Sequence, residues 1–111
     1  MSKVKLVLYE NKKFLSEFIV TDRKIINIGR GSEITNRYIS RKHIQVFFDK
    51  NNKLIVQDLG STHGTYLNRV KLLPGKQYPI QIGDKLILSG SNGIFILIQN
   101  ESYSDKNLQT G

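Results

Sequence analysis

Hydrophobic and polar positions alternate at the start of the chain. Val4, Leu6 and Leu8 fall on one side and Lys5, Val7 and Tyr9 on the other, which is the period of a β-strand. The run turns at Glu10-Asn11. Further strands are expected at Phe14 to Val20, at Ile25, Ile26 and Ile28, at Ile44 to Phe48, and at Leu54 to Val56. Short ones follow around Tyr66-Leu67, Ile80 to Ile82, Leu86 to Leu88 and Ile94 to Ile98. Turn residues separate them: Asp49 to Asn52, Pro74-Gly75, Gly83-Asp84 and Ser89 to Gly93. No apolar run keeps a helical period. Many short strands with regular turn signals predict an all-β sandwich of about ten strands. Phe47-Phe48 and the Ile94 to Ile98 run are expected in its core rather than on a base-stacking platform.

The chain has 111 residues, which suits one domain with its own core. Residues 1–100 are read as that domain. Residues 101–111 are polar, without an apolar stripe, and read as a tail or linker. No run approaches the ~20 apolar residues of a membrane-spanning helix, so no membrane role is expected. No signal-peptide pattern opens the sequence. Cysteine is absent, which excludes disulfides and thiolate metal sites and favours an intracellular setting. Two histidines without a carboxylate cluster predict no metal and no cofactor.

Lys and Arg number 17 against 9 Asp and Glu, a net charge of +8. An anionic partner is implied: nucleic acid, an acidic membrane surface, or a phosphorylated or acidic peptide. The doublets Lys12-Lys13, Arg23-Lys24 and Arg41-Lys42 are spread along the chain and form no basic arm. Catalysis is not expected. Gly60-Ser61-Thr62-His63-Gly64 puts threonine where a hydrolase elbow needs its serine, and there is no phosphate-binding loop of the nucleotidase type.

Loop segments carry the chemistry. Gly29-Arg30-Gly31 ends a strand, Ser40-Arg41-Lys42-His43 precedes one, and Asp58 to Asn68 is rich in Gly, Ser and Thr. Guanidinium groups, small hydroxyls and approachable backbone amides are the donors a phosphate dianion needs.

These segments, in this order, resemble the forkhead-associated (FHA) family over Val4 to Gln99. The family pattern is Gly-Arg, then Ser-x-x-His, then Ser-x-x-Gly-Thr-x-x-Asn. The resemblance implies an FHA-type sandwich with phosphopeptide-binding loops at one end. It implies a module that recruits a phosphothreonine-containing segment of another protein. By that resemblance Arg30, Ser40, Arg41 and Thr62 contact the phosphate or shape its pocket. His63 stands where the family usually has an Asn that reads peptide main chain; imidazole lacks the amide's paired donor and acceptor. Asn68 matches the last Asn of the pattern and by the resemblance joins the phosphopeptide-binding residues, with Arg69 in place of the Gly that often follows. Gly29, His43, Ser61, Gly64 and Thr65 take structural roles.

A finer resemblance is to the FHA domains of polynucleotide kinase-phosphatase and aprataxin, carried by Gly29 to Gly31, Ile34-Thr35, Ser40-Arg41, Leu73 to Gly75 and Ile82 to Asp84. It implies an acidic-flanked phosphosite read by Arg37 and Arg41, a DNA-repair setting and a nuclear location; without it a cytoplasmic location is expected. The alternative carried by charge is a basic nucleic-acid-binding β domain, with direct nucleic acid otherwise a secondary partner. A monomer is the expected state.

Overall fold

In the computed structural model, residues 2–90 and 93–102 are described. They form ten strands: β1 Lys3–Glu10, β2 Lys13–Thr21, β3 Ile26–Ile28, β4 Ile44–Phe48, β5 Leu54–Asp58, β6 Thr65–Leu67, β7 Val70–Lys71, β8 Gln77–Pro79, β9 Lys85–Leu88 and β10 Ile94–Asn100. One sheet runs β2-β1-β10-β9-β6-β7 and the other β3-β4-β5-β8, all pairs antiparallel. Apart from Glu101 and Ser102, the polar stretch expected at 101–111 lies outside the described residues.

The two sheets close on inward-facing aliphatic side chains. Leu6 and Leu8 of β1, Val20 of β2, Ile44 and Val46 of β4, Val56 of β5, Leu86 and Leu88 of β9, and Ile94, Ile96 and Ile98 of β10 are fully buried. Each contributes about 1.5–3 kcal/mol by leaving water. Two hairpins turn through residues that both have positive φ: Asn11-Lys12 between β1 and β2, and Asn68-Arg69 between β6 and β7. Such paired values match the strand twist and draw the tightest hairpins.

Three details depart from the sequence expectation. The strand expected at Ile80 to Ile82 lies earlier, at Gln77–Pro79. Pro79 fits there because β8 is an edge strand and needs no outward donor, while Ile82 is an exposed turn residue. The short strand β7 carries no apolar alternation and was not expected. The Ile94 to Ile98 run is not all core: Phe95 and Leu97 point away from it and stay partly exposed, as does Phe47 in β4.

Candidate functional site

At one end of the sandwich the β3–β4 and β5–β6 loops meet. The meeting is built from backbone first. Arg30 N–H donates to the Ser40 carbonyl at 2.9 Å and Gly31 N–H to the Ile34 carbonyl at 2.8 Å, which folds the β3–β4 loop back on itself. A side chain at Gly29 would overlap the Arg41 carbonyl oxygen, so only glycine lets these two strand ends approach.

His43 joins the two loops from below. It is fully buried. Its Nδ1 accepts the Ser40 N–H at 3.1 Å, which leaves Nε2 as the donor to the Gly64 carbonyl at 2.9 Å. This is the neutral ring. Burial holds His43 below the usual histidine range, although the Gly64 carbonyl and Asp58 both favour the proton.

The β5–β6 loop is wound around Asp58, a residue sequence reasoning passed over. Its carboxylate accepts the Gly60 and Ser61 N–H groups at 3.0 Å each and the Ser61 and Thr65 hydroxyls at 2.6 Å each. Removal from water pushes this carboxyl up, but the four donors outweigh that and keep it below the usual carboxylate range. Ser61 Oγ in turn accepts the Gly64 N–H at 3.0 Å. Gly64 has φ +90, a left-handed conformation that a side chain would strain. The available signal was the Asp-x-x-Ser spacing, since a carboxylate that bonds its own backbone two residues on makes a turn.

Above this base the candidate contact residues converge. Thr62 N–H donates to Ser40 Oγ at 2.9 Å, and the two hydroxyl oxygens lie 3.4 Å apart. The Arg30 guanidinium reaches the Arg37 carbonyl at 3.4 Å. The Arg37 guanidinium lies 5.7 Å from the centre of the Tyr38 ring, and Tyr38 meets His63 edge to face at 5.6 Å. Arg37, Tyr38, Arg41, Thr62 and His63 are all exposed. Among the described residues none of Arg30, Arg37 or Arg41 pairs with a carboxylate. Beside Thr62 a recess of about 320 Å³ opens, lined in part by Gly64, Lys71, Leu73 and Pro74.

Asn68 does not join this group. It occupies the β6–β7 turn with φ 47. Its amide donates to Asp84 at 2.9 Å and its carbonyl oxygen accepts the Lys85 N–H at 3.0 Å. Both ends of the side chain hold that turn against β9.

The described residues hold no group of three or more His, Cys, Asp or Glu that could take a metal ion. What the site offers instead is cationic and hydroxyl donors on a rigid, hydrogen-bonded base.

Known proteins are similar to this chain in sequence and in fold. The FHA domain family model matches residues 26–90. The chain is 44% identical over 91 residues to the probable E3 ubiquitin-protein ligase dma1 of Schizosaccharomyces pombe, covering 75% of this chain and 34% of that protein. It is 28% identical over 98 residues to the human nuclear inhibitor of protein phosphatase 1, covering 83% of this chain and 28% of that one. The chain thus spans about a third of the length of these curated relatives. Among solved structures it superposes on an Arabidopsis thaliana FHA domain with TM-score 0.74 at 28% identity, covering 93% and 89% of the two chains. It also superposes on the N-terminal FHA domain of Saccharomyces cerevisiae Rad53p, solved with a phosphothreonine peptide, with TM-score 0.73 at 18% identity and 97% and 98% coverage. The chain belongs to the FHA family of binding modules.

Proposed function

We propose that this domain binds a phosphothreonine-containing segment of a partner protein at the junction of the β3–β4 and β5–β6 loops. The observation that carries the reading is the Ser40–Thr62 junction, with Arg30 tied into the same loop. Ser40 Oγ uses an acceptor position on the Thr62 N–H. Its own proton faces only a 3.4 Å neighbour, so it is free to turn to a phosphate oxygen. A phosphate carries about −1.5 to −2 charge and three acceptor oxygens. Arg30, Ser40, Arg41 and Thr62 supply the matching donors, and unphosphorylated threonine leaves them without a partner. Phosphoserine lacks one methyl group, a difference worth about 1–3 kcal/mol in a close-fitting pocket. His63, against Tyr38, is placed to meet the peptide main chain through a single ring nitrogen.

The role is recruitment rather than catalysis. A ligase and a phosphatase inhibitor among the relatives each carry such a module as part of a longer chain, and the inhibitor's name supports a nuclear place of action. We assign the module to residues 1–100.

A nucleic-acid surface draws support from the charge of +8. It needs Lys and Arg spread along a face, whereas the phosphate reading draws on the Ser40–Thr62 hydroxyl junction and on Arg30 bonded into the same loop. The test is a phosphothreonine peptide library followed by calorimetry of a selected peptide and its unphosphorylated form. Micromolar binding of the phosphorylated form alone supports the reading. Equal binding of both forms refutes it.

A further inference from the structure

The outward faces of the two sheets differ in kind. The four-stranded sheet carries a polar row, Asn27, Gln45, Gln57 and Gln77, directly opposite one another across its strands. An apolar row, Phe47-Ile55-Pro79, lies beside it. The six-stranded sheet carries Phe14, Tyr9, Phe95, Ile87, Tyr66 and Lys71 in one unbroken row, one residue from each strand. Outward positions of a sandwich ordinarily face water and are polar. Here five of the six are aromatic or aliphatic, and Phe14 is 55% exposed.

The row is not a flat decoration. Its middle four residues, Tyr9, Phe95, Ile87 and Tyr66, line a groove of about 760 Å³ together with Leu97. The charged side chains in its lining are Lys12 and Arg69, at the two hairpin turns, and both are cationic. Lys85 adds a third cation, its ammonium 4.6 Å above the Phe95 ring. Exposed apolar patches of this kind, rimmed by polar groups, mark interaction surfaces.

We infer that the outer face of the six-stranded sheet is a second docking surface, and that its occupant is an acidic amphipathic segment of a partner protein. The cationic rim asks for carboxylates and the groove for apolar side chains. Single-stranded nucleic acid fits less well, because stacking needs open ring faces. The rings here meet edge to face, Tyr9 with Phe14 at 84° and Tyr9 with Phe95 at 77°, and Lys85 covers one face of Phe95. A second copy of the chain brings the same cations against themselves. Six strands spaced about 4.8 Å apart make the row about 24 Å long, the length of a helix of about 16 residues.

The row is continuous with the loop site. Tyr66 and Lys71, paired in β6 and β7, both flank Gly64; a Cβ there would stand 3.0 Å from Lys71 Cε and 3.9 Å from Tyr66 Cε1. One partner can therefore span both surfaces. The inference itself does not rest on the phosphate reading.

The test is selection from a random library of peptides about 16 residues long, displayed without phosphorylation, against the wild-type domain. Acidic peptides with apolar residues at helical spacing are expected. Their affinity should fall by about tenfold or more in the Lys12→Glu/Arg69→Glu double variant and in Ile87→Lys, and stay unchanged in Arg30→Ala. The double variant alters exposed turn side chains alone, so its result stands even if Ile87→Lys fails to fold. Selection of no acidic peptide, or affinities indifferent to the double variant, overturns the inference. Oligothymidylate binding lost in the double variant would assign the row to nucleic acid instead. A concentration-dependent dimer in sedimentation, lost in either variant, would assign it to a second copy.

Discussion

Gly29 and the Arg41 carbonyl oxygen are packed so closely that no side chain fits between them. The contact sets the distance between the end of β3 and the Ser40-Arg41 segment, and through it the position of the Ser40 hydroxyl. Gly29→Ala should therefore force the segment outward. Overpacking of this kind costs about 1–3 kcal/mol. The expected outcome is a lower melting temperature together with weaker phosphopeptide binding, read by thermal denaturation and calorimetry on one preparation. Unchanged affinity would show that the spacing is not needed for the site.

Arg30→Ala should separate binding from folding. Among the described residues the guanidinium is tied only by a 3.4 Å bond to the Arg37 carbonyl, so little stability depends on it, within about 0.5 kcal/mol for a surface change. A hydrogen bond to a charged group is worth about 1.5–3 kcal/mol, and a forked guanidinium can make two to a phosphate. Phosphopeptide affinity should drop by about a hundredfold or more with the melting temperature held. Retained affinity would remove Arg30 from the site.

Much of this was legible in the sequence, for identifiable reasons. The alternation of Val4, Leu6 and Leu8 survives as the core-packed face of β1, although Lys5 and Val7 on the other side are buried as well. Gly29, Ser40, His43 and Thr62 lie on two separate loops, yet their order already pointed to one site. Other features were not legible. β7 has no apolar alternation, and its turn places Arg69 at positive φ, a position that composition assigns to glycine. Ile94 to Ile98 is apolar at each position, so its pattern gives no inward and outward face. Pairing with β1 and β9 supplies that choice, turning Phe95 out and Ile94, Ile96 and Ile98 in. Asn68 carried the motif's letter, but its role depends on Asp84 and Lys85, which only the folded chain brings beside it.

His43 predicts a pH dependence of stability. Its folded pKa lies below the ordinary histidine value of about 6.5. The unfolded chain therefore takes up a proton more readily, and stability is full above about pH 6.5 and declines as pH falls through that value. Asp58 acts lower down: its depressed pKa contributes stability that is lost only as pH falls below about 3.9. Without peptide, the wild-type melting temperature should decrease between pH 7.5 and 5.0, flanking the histidine value of about 6.5. His43→Ala should be less stable throughout, because the Ser40 N–H and Gly64 carbonyl lose their partner at about 1–3 kcal/mol each. It should also lose the decrease near pH 6.5. A variant that kept the wild-type pH profile would exclude His43 as its source.

Arg37 predicts how flanking acidic residues act. Its carbonyl holds Arg30 and its own guanidinium lies over Tyr38, which touches His63. The charge therefore stands beside the candidate peptide path, exposed and with no carboxylate pairing it among the described residues. A glutamate or aspartate next to the phosphothreonine should gain about 0.2–1 kcal/mol from such an exposed pair, no more than about fivefold in affinity. The screening length is about 10 Å at 0.1 M salt and about 3 Å at 1 M, so the gain should fade with salt. Comparing acidic-flanked and neutral-flanked phosphothreonine peptides at both salt concentrations, with wild type and Arg37→Ala, isolates the contribution. The acidic advantage should vanish in the variant at low salt, while the neutral peptide binds both proteins alike. An advantage that persists in Arg37→Ala would move the acidic contact to Arg41 or Lys71, and equal affinities for the two peptides would leave the flanks unread.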